Sequence, residues 1–172
     1  MRLTIGITGL AVAMLLAQTA AAAPMNYDCD TPVGSYSELA QRQSGPTYHV
    51  RGTITALQWR EDQRWHPVGQ LMLENDDESR VLAVRLNRAP HGAQAAIQVL
   101  IKIGADEQTI VLGAANLNQA VPVEISLSAA GEAVVVAGNE RRVLRFELGG
   151  NGSVNAVCST GEFLFSGLDL GN

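Results

Sequence analysis

The chain has 172 residues, with 12 basic and 17 acidic side chains and a formal net charge of -5. Lys102 is its only lysine and sits inside an apolar run. This balance argues against nucleic acid as a partner, because that binding needs clustered Lys and Arg to displace counterions.

Residues 1–22 read as a signal peptide. Arg2 is the only charge, an apolar run follows over residues 3–16, and Ala20, Ala21, Ala22 and Ala23 supply small residues for cleavage after Ala22. The run is short for a membrane span, so an uncleaved anchor is the weaker alternative. The mature chain is then secreted or periplasmic. No later stretch is apolar for long enough to cross a bilayer, and roughly 150 residues suit one domain.

Residues 23–47 mix Pro24, Pro32, Gly34, Gly45 and Pro46 and read as an irregular lead-in, with at most a turn or two of helix over 37–43. Cys29 lies in it, and the second cysteine is Cys158. An isolated pair in an oxidising compartment bonds, closing a loop of roughly 130 residues. Two buried free thiols are the alternative.

From Tyr48 the apolar period becomes two. Tyr48, Val50, Ile54 and Ala56 alternate with His49, Arg51, Thr53 and Thr55, the pattern of a half-buried strand. Residues 68–73 and 81–86 flank the polar turn 75–79 and predict a hairpin, and residues 96–103 and 109–112 predict a second around Gly104. Further strands are expected over 121–127, 134–136 and 143–148, then 154–158 and 162–170 parted by Ser159, Thr160 and Gly161. About ten short strands with a turn every eight to twelve residues imply an all-β antiparallel sandwich or barrel over residues 48–172.

Two segments carry a family resemblance. Residues 125–139, a hydrophobic strand, a turn at Gly131 and a strand ending at Gly138, resemble a strand pair of the concanavalin A-like (laminin G-like) jelly rolls. Residues 158–170 resemble that fold's closing strand, and Trp65, His66 and Pro67 the entry to an early one. The resemblance implies a two-sheet β-sandwich with the chain ends side by side, which suits a Cys29–Cys158 bridge. Catalytic members carry two glutamates and an aspartate at near-alternate positions on one strand face. Glu124 is followed on its face by Ser126 and Ser128, and Glu162 by Leu164 and Ser166, so that set is missing.

Candidate sites are few. Trp59 and Trp65 flank a charged segment, and Trp59, Arg64, Trp65 and His66 would bind a sugar by stacking and hydrogen bonding, with core packing of the tryptophans as the alternative. Asp76, Asp77 and Glu78 offer the oxygen ligands Ca2+ takes, against a solvated turn. His49, His66 and His91 have no metal-ligand spacing. There is no nucleophile elbow, phosphate loop or dinucleotide fingerprint. Asn151, Gly152 and Ser153 form a glycosylation acceptor that turn chemistry also explains. The function expected is a non-catalytic exported module binding a glycan or an envelope protein. A structural protein of the envelope, with an exposed apolar patch or edge strand, is the alternative, and a polysaccharide-active enzyme comes third.

Overall fold

A computed structural model describes residues 24–43, 45–62, 64–89 and 91–171. The signal peptide and its cleavage after Ala22 fall outside the described residues. The remaining chain forms ten strands: β1 (Met25–Gln43), β2 (Tyr48–Trp59), β3 (Val68–Asn75), β4 (Arg80–Arg88), β5 (Ala95–Ile103), β6 (Asp106–Ala115), β7 (Ala120–Leu127), β8 (Glu132–Ala137), β9 (Glu140–Arg145) and β10 (Gly152–Asp169). All pairings are antiparallel. No helix among the described residues is long and apolar enough to cross a membrane.

Two long strands, β1 and β10, belong to both sheets. Residues 152–159 of β10 pair with β3, while residues 161–169 pair with β2. β1 follows on the other flank of β10 along nearly its whole length. The front sheet thus runs β6-β5-β4-β3-β10-β1 and the back sheet β1-β10-β2-β7-β8-β9. The apolar alternation of every strand then meets in the space between the sheets. Ile54, Leu71, Leu82, Val84, Ile125, Phe163 and Phe165 are fully buried there, each contributing about 1.5–3 kcal/mol of transfer free energy.

Two expectations are corrected. The segment read as an irregular lead-in is β1, a 19-residue strand. Its prolines and glycines did not break it, because Pro32 and Gly34 fall in a bulge: Thr31 pairs with Gly161 and Tyr36 with Ser159, so residues 32–35 loop out where the strand turns from one sheet to the other. The two closing runs are one strand, kinked at the tripeptide read as a break. Thr160 is buried at φ 52°, and a Cβ at Gly161 would sit 2.8 Å from the Gln58 carbonyl oxygen. Thr31 Oγ1 donates to the Gly161 carbonyl at 3.1 Å, and Gly34 N–H donates to Thr160 Oγ1 at 3.3 Å, so the kink keeps its polar groups paired.

Cys29 and Cys158 form a disulfide across this corner, with Cα atoms 6.1 Å apart. Cys29 lies in the back-sheet part of β1 and Cys158 in the front-sheet part of β10, so the bond ties the sheets together inside the core. It fits an oxidising compartment. Both expected hairpins form, β3–β4 and β5–β6. β9 ends earlier than its alternation suggested, at Arg145. Phe146 and Leu148 leave the ladder yet stay 2% and 4% exposed, held by Phe146 N–H donating to Gly131 at 3.0 Å.

Candidate functional site

In a strand successive side chains take opposite faces. On the front sheet, Leu71, Leu73, Leu82, Val84 and Ala156 point inward, so the residues between them point out. The register lines these outward residues into rows across the strands. One row runs Glu38, Val157, Gln70, Arg85, Gln98. The next runs Ala40, Asn155, Met72, Ala83, Leu100. A third contains Ser153, Glu74, Val81 and Lys102.

No described strand is stacked on this face. Nevertheless Asn155 and Ala83 are 0% exposed, and Met72, Val81 and Leu100 are buried in a cluster separate from the main core. Small side chains on an uncovered face become buried when longer neighbours lean over them, so these groups lie beneath the surface of the face. On the back sheet the outward residues Arg51, Thr53, Glu124, Val134 and Ser166 all retain exposure.

Asn155 is the anomaly of this cluster. Its Nδ2 donates to Glu74 Oε1, which also accepts from Ser153 Oγ at 3.4 Å. Its Oδ1 is buried and has no hydrogen-bond partner. A buried polar atom left without a partner costs about 1–3 kcal/mol, so such atoms are rare in folded proteins. Burial pushes the Glu74 carboxyl above its ordinary value; the Asn155 hydrogen bond opposes this, and the charges of Glu38 and Glu78 add to it. Arg85 lies flat along the sheet, donating from Nε to Gln98 Oε1 at 2.9 Å and from an Nη to Thr109 Oγ1 at 3.2 Å.

The tryptophan loop is split by the fold. Trp59 is half-buried and packs against the core, edge-on to Phe163 at 5.8 Å, with the Arg88 guanidinium over its ring. Its ring is therefore no sugar platform. Trp65 is 52% exposed and rests beside Gly34, in the bulge that leads into Tyr36. Tyr36 is 73% exposed at the rim of the front face, so Trp65 adjoins that rim. Arg64 and His66 are exposed beside it. Asp62 holds the loop, accepting from Arg64 N–H at 2.7 Å and Trp65 N–H at 2.9 Å, which lowers its carboxyl from the ordinary value.

The acidic turn does not converge on a point. Asp76 pairs with Arg42 at 2.9 Å, Asp77 accepts from Ser79 N–H at 3.0 Å, and Glu78 adopts φ 55°. Among the described residues no group of three or more His, Cys, Asp or Glu could hold a metal ion. His49 and His91 lie beside Glu124 and Glu61, both at 3.6 Å, in different parts of the fold. A surface depression of about 430 Å³ lies between the end of β1 and the start of β2. There Gln43 Nε2 already donates to the carbonyls of Leu170, Gly171 and His49.

Sequence reasoning missed the front face. Its one local signal is an amide inside an apolar run, Asn155 between Val154 and Ala156. Which strands flank it, and hence that its oxygen is shut off from water, is set by long-range pairing.

No protein-family model matches the chain, and no curated protein matches it. Solved structures do. The carbohydrate binding module CBM66 from Bacillus subtilis is similar at 10% identity and TM-score 0.52, over 77% of this chain and 80% of that one. Alginate lyase AlyC3 in complex with dimannuronate is similar at 11% identity and TM-score 0.60, over 85% and 73%. The carbohydrate recognition domain of Emp46p, in its potassium-bound form, is similar at 8% identity and TM-score 0.55, over 81% and 79%. The fold is that of the concanavalin A-like jelly-roll sandwiches, as the resemblance of residues 125–139 and 158–170 implied.

Proposed function

We propose that this chain is an exported, non-catalytic module that binds a glycan along the outer face of its front sheet. One observation carries the proposal: two exposed aromatic rings, Tyr36 and Trp65, stand at the rim of a face that no described strand covers. Aromatic faces of this kind stack on the C–H face of a pyranose ring. That the fold's neighbours include a carbohydrate binding module, a lyase holding a dimannuronate and a carbohydrate recognition domain supports the reading.

Absence of catalysis is supported by what the face offers. His49 and His91 lie elsewhere, Arg85 is held by Gln98 and Thr109, and Glu74 is engaged by Asn155 and Ser153. The edge strands β6 and β9 carry Asp106, Glu107, Arg141, Arg142 and Arg145. Charges of this kind guard an edge against pairing.

The test is calorimetric titration of the mature chain with oligosaccharides of several backbones, alongside Tyr36→Ala and Trp65→Ala. Saturable binding to at least one oligosaccharide, weakened in both variants, is expected. Binding unaffected by either variant would place the ligand elsewhere. Release of reducing ends or unsaturated products from the ligand would overturn the non-catalytic part.

A further inference from the structure

β1 gives the core very little. Of its 19 residues only Cys29 and Thr31 are buried. Cys29 is the one buried apolar side chain that β1 contributes to the main core, and Tyr27 and Leu39 only lean against it. Every other buried member of that core lies at Tyr48 or beyond. Apart from the stacking of Tyr27 on Phe165 at 5.7 Å, the remaining ties of β1 are polar. Its backbone pairs with β10, Arg60 reaches Asp30 at 2.6 Å, and Arg42 reaches Asp76 at 2.9 Å. Water replaces such partners, so each nets little. Against them stands the conformational entropy of ordering a long strand. Joining segments so far apart in sequence adds the entropy of loop closure. The disulfide, of sequence separation 129, removes that second cost from docking. It sits where both strands turn between the sheets, so pairing spreads from it in two directions, over residues 25–31 and over 36–43.

We infer that β1 docks on β10 only once Cys29 and Cys158 are joined, so that oxidation completes the aromatic rim. The step from docking to binding rests on the glycan reading above. In the dithiol form the sandwich of β2 to β10 stands with β1 detached, and water meets the backbone groups of β10 that β1 had paired. Tyr36 leaves with β1. So does Gly34, where a Cβ would lie 3.4 Å from the Trp65 ring, and Trp65 loses its support. Closure is a thiol–disulfide exchange: the two thiols pass two electrons and two protons to an external disulfide, which leaves as two thiols. Such oxidation belongs to compartments outside the cytoplasm. A chain held in a reducing compartment therefore carries an incomplete site.

Amide hydrogen exchange is followed by mass spectrometry on the full chain in oxidised form, after refolding in reductant, and as Cys29→Ala/Cys158→Ala. Without the bond, residues 25–43 are expected to lose the protection they have in the oxidised form, while β4 and β7 keep theirs. Affinity for an oligosaccharide that the oxidised chain binds should fall about tenfold or more. Glutathione disulfide should restore it in the reduced wild type and not in the double variant. Unchanged protection of β1 in both bond-free forms, or loss of protection in all strands together, would overturn the inference. Full affinity in a chain whose β1 exchanges freely would overturn it as well. No binding by the oxidised chain would remove the glycan reading and the binding arm with it, while the exchange pattern still upholds or overturns the docking.

Discussion

Replacing Asn155 with valine tests whether its unpaired oxygen costs the fold about as much as its paired nitrogen contributes. The substitution removes the charge-assisted hydrogen bond from Nδ2 to Glu74, a loss of about 1.5–3 kcal/mol. It also removes the unpaired Oδ1, a relief of about 1–3 kcal/mol. Valine suits the pleated position, with Met72 and Ala40 opposite on the neighbouring strands. The terms nearly cancel, so stability should change by no more than about 1 kcal/mol, or roughly 2–4 °C in Tm for a chain of this size. Urea unfolding with an unchanged m value measures it. A loss of about 3 kcal/mol or more would refute the reasoning, because Asn155 would then be a satisfied member of the scaffold.

Three further outcomes follow from the geometry. Removing the disulfide with Cys29→Ala/Cys158→Ala frees a loop of sequence separation 129, for which chain entropy sets an upper bound of about 5 kcal/mol; a drop under about 1 kcal/mol in urea unfolding would show that the bond does not constrain the unfolded chain. Gly69→Ala should cost about 1–3 kcal/mol by overpacking, because its Cβ would lie 2.4 Å from a carbon of the fully buried Phe163 ring, and an unchanged urea midpoint would contradict this. Folding raises the Glu74 pKa, so its ionised form opposes folding; the cost is absent below the ordinary value of 4.5 and sets in as pH rises through the folded value. Glu74→Gln should therefore match the wild type in acid and exceed it at neutral pH, and the opposite order in urea midpoints across pH would be a refutation.

The strand pattern was legible because each half-buried strand declares itself through alternation that needs no knowledge of its partners. Val50 and Ile54, or Leu82 and Val84, face inward whichever strand lies beside them. β1 was not legible, because its solvent-facing edge supplies little alternation: Asp28, Asp30, Glu38 and Arg42 are exposed, and Leu39 is only partly buried. The kink at Thr160 and Gly161 carried the signature of a turn without ending the strand. Trp59 and Trp65 were not distinguishable from each other, since both adjoin charged residues and only packing against Phe163 separates them. The front face was invisible, because an outward row is assembled from five or six strands distant in sequence.

The element that sequence reasoning misjudged also sets where the front face ends. Had residues 23–47 been irregular, β10 would be the edge of the front sheet, and its backbone groups would be open to pairing. Instead β1 covers that edge along residues 152–159 of β10, and its own Tyr36 stands exposed at the rim. The disulfide anchors β1 at the corner where the two strands turn together from the back sheet to the front. A bond that fits an oxidising compartment thus helps hold in place the strand that borders the face.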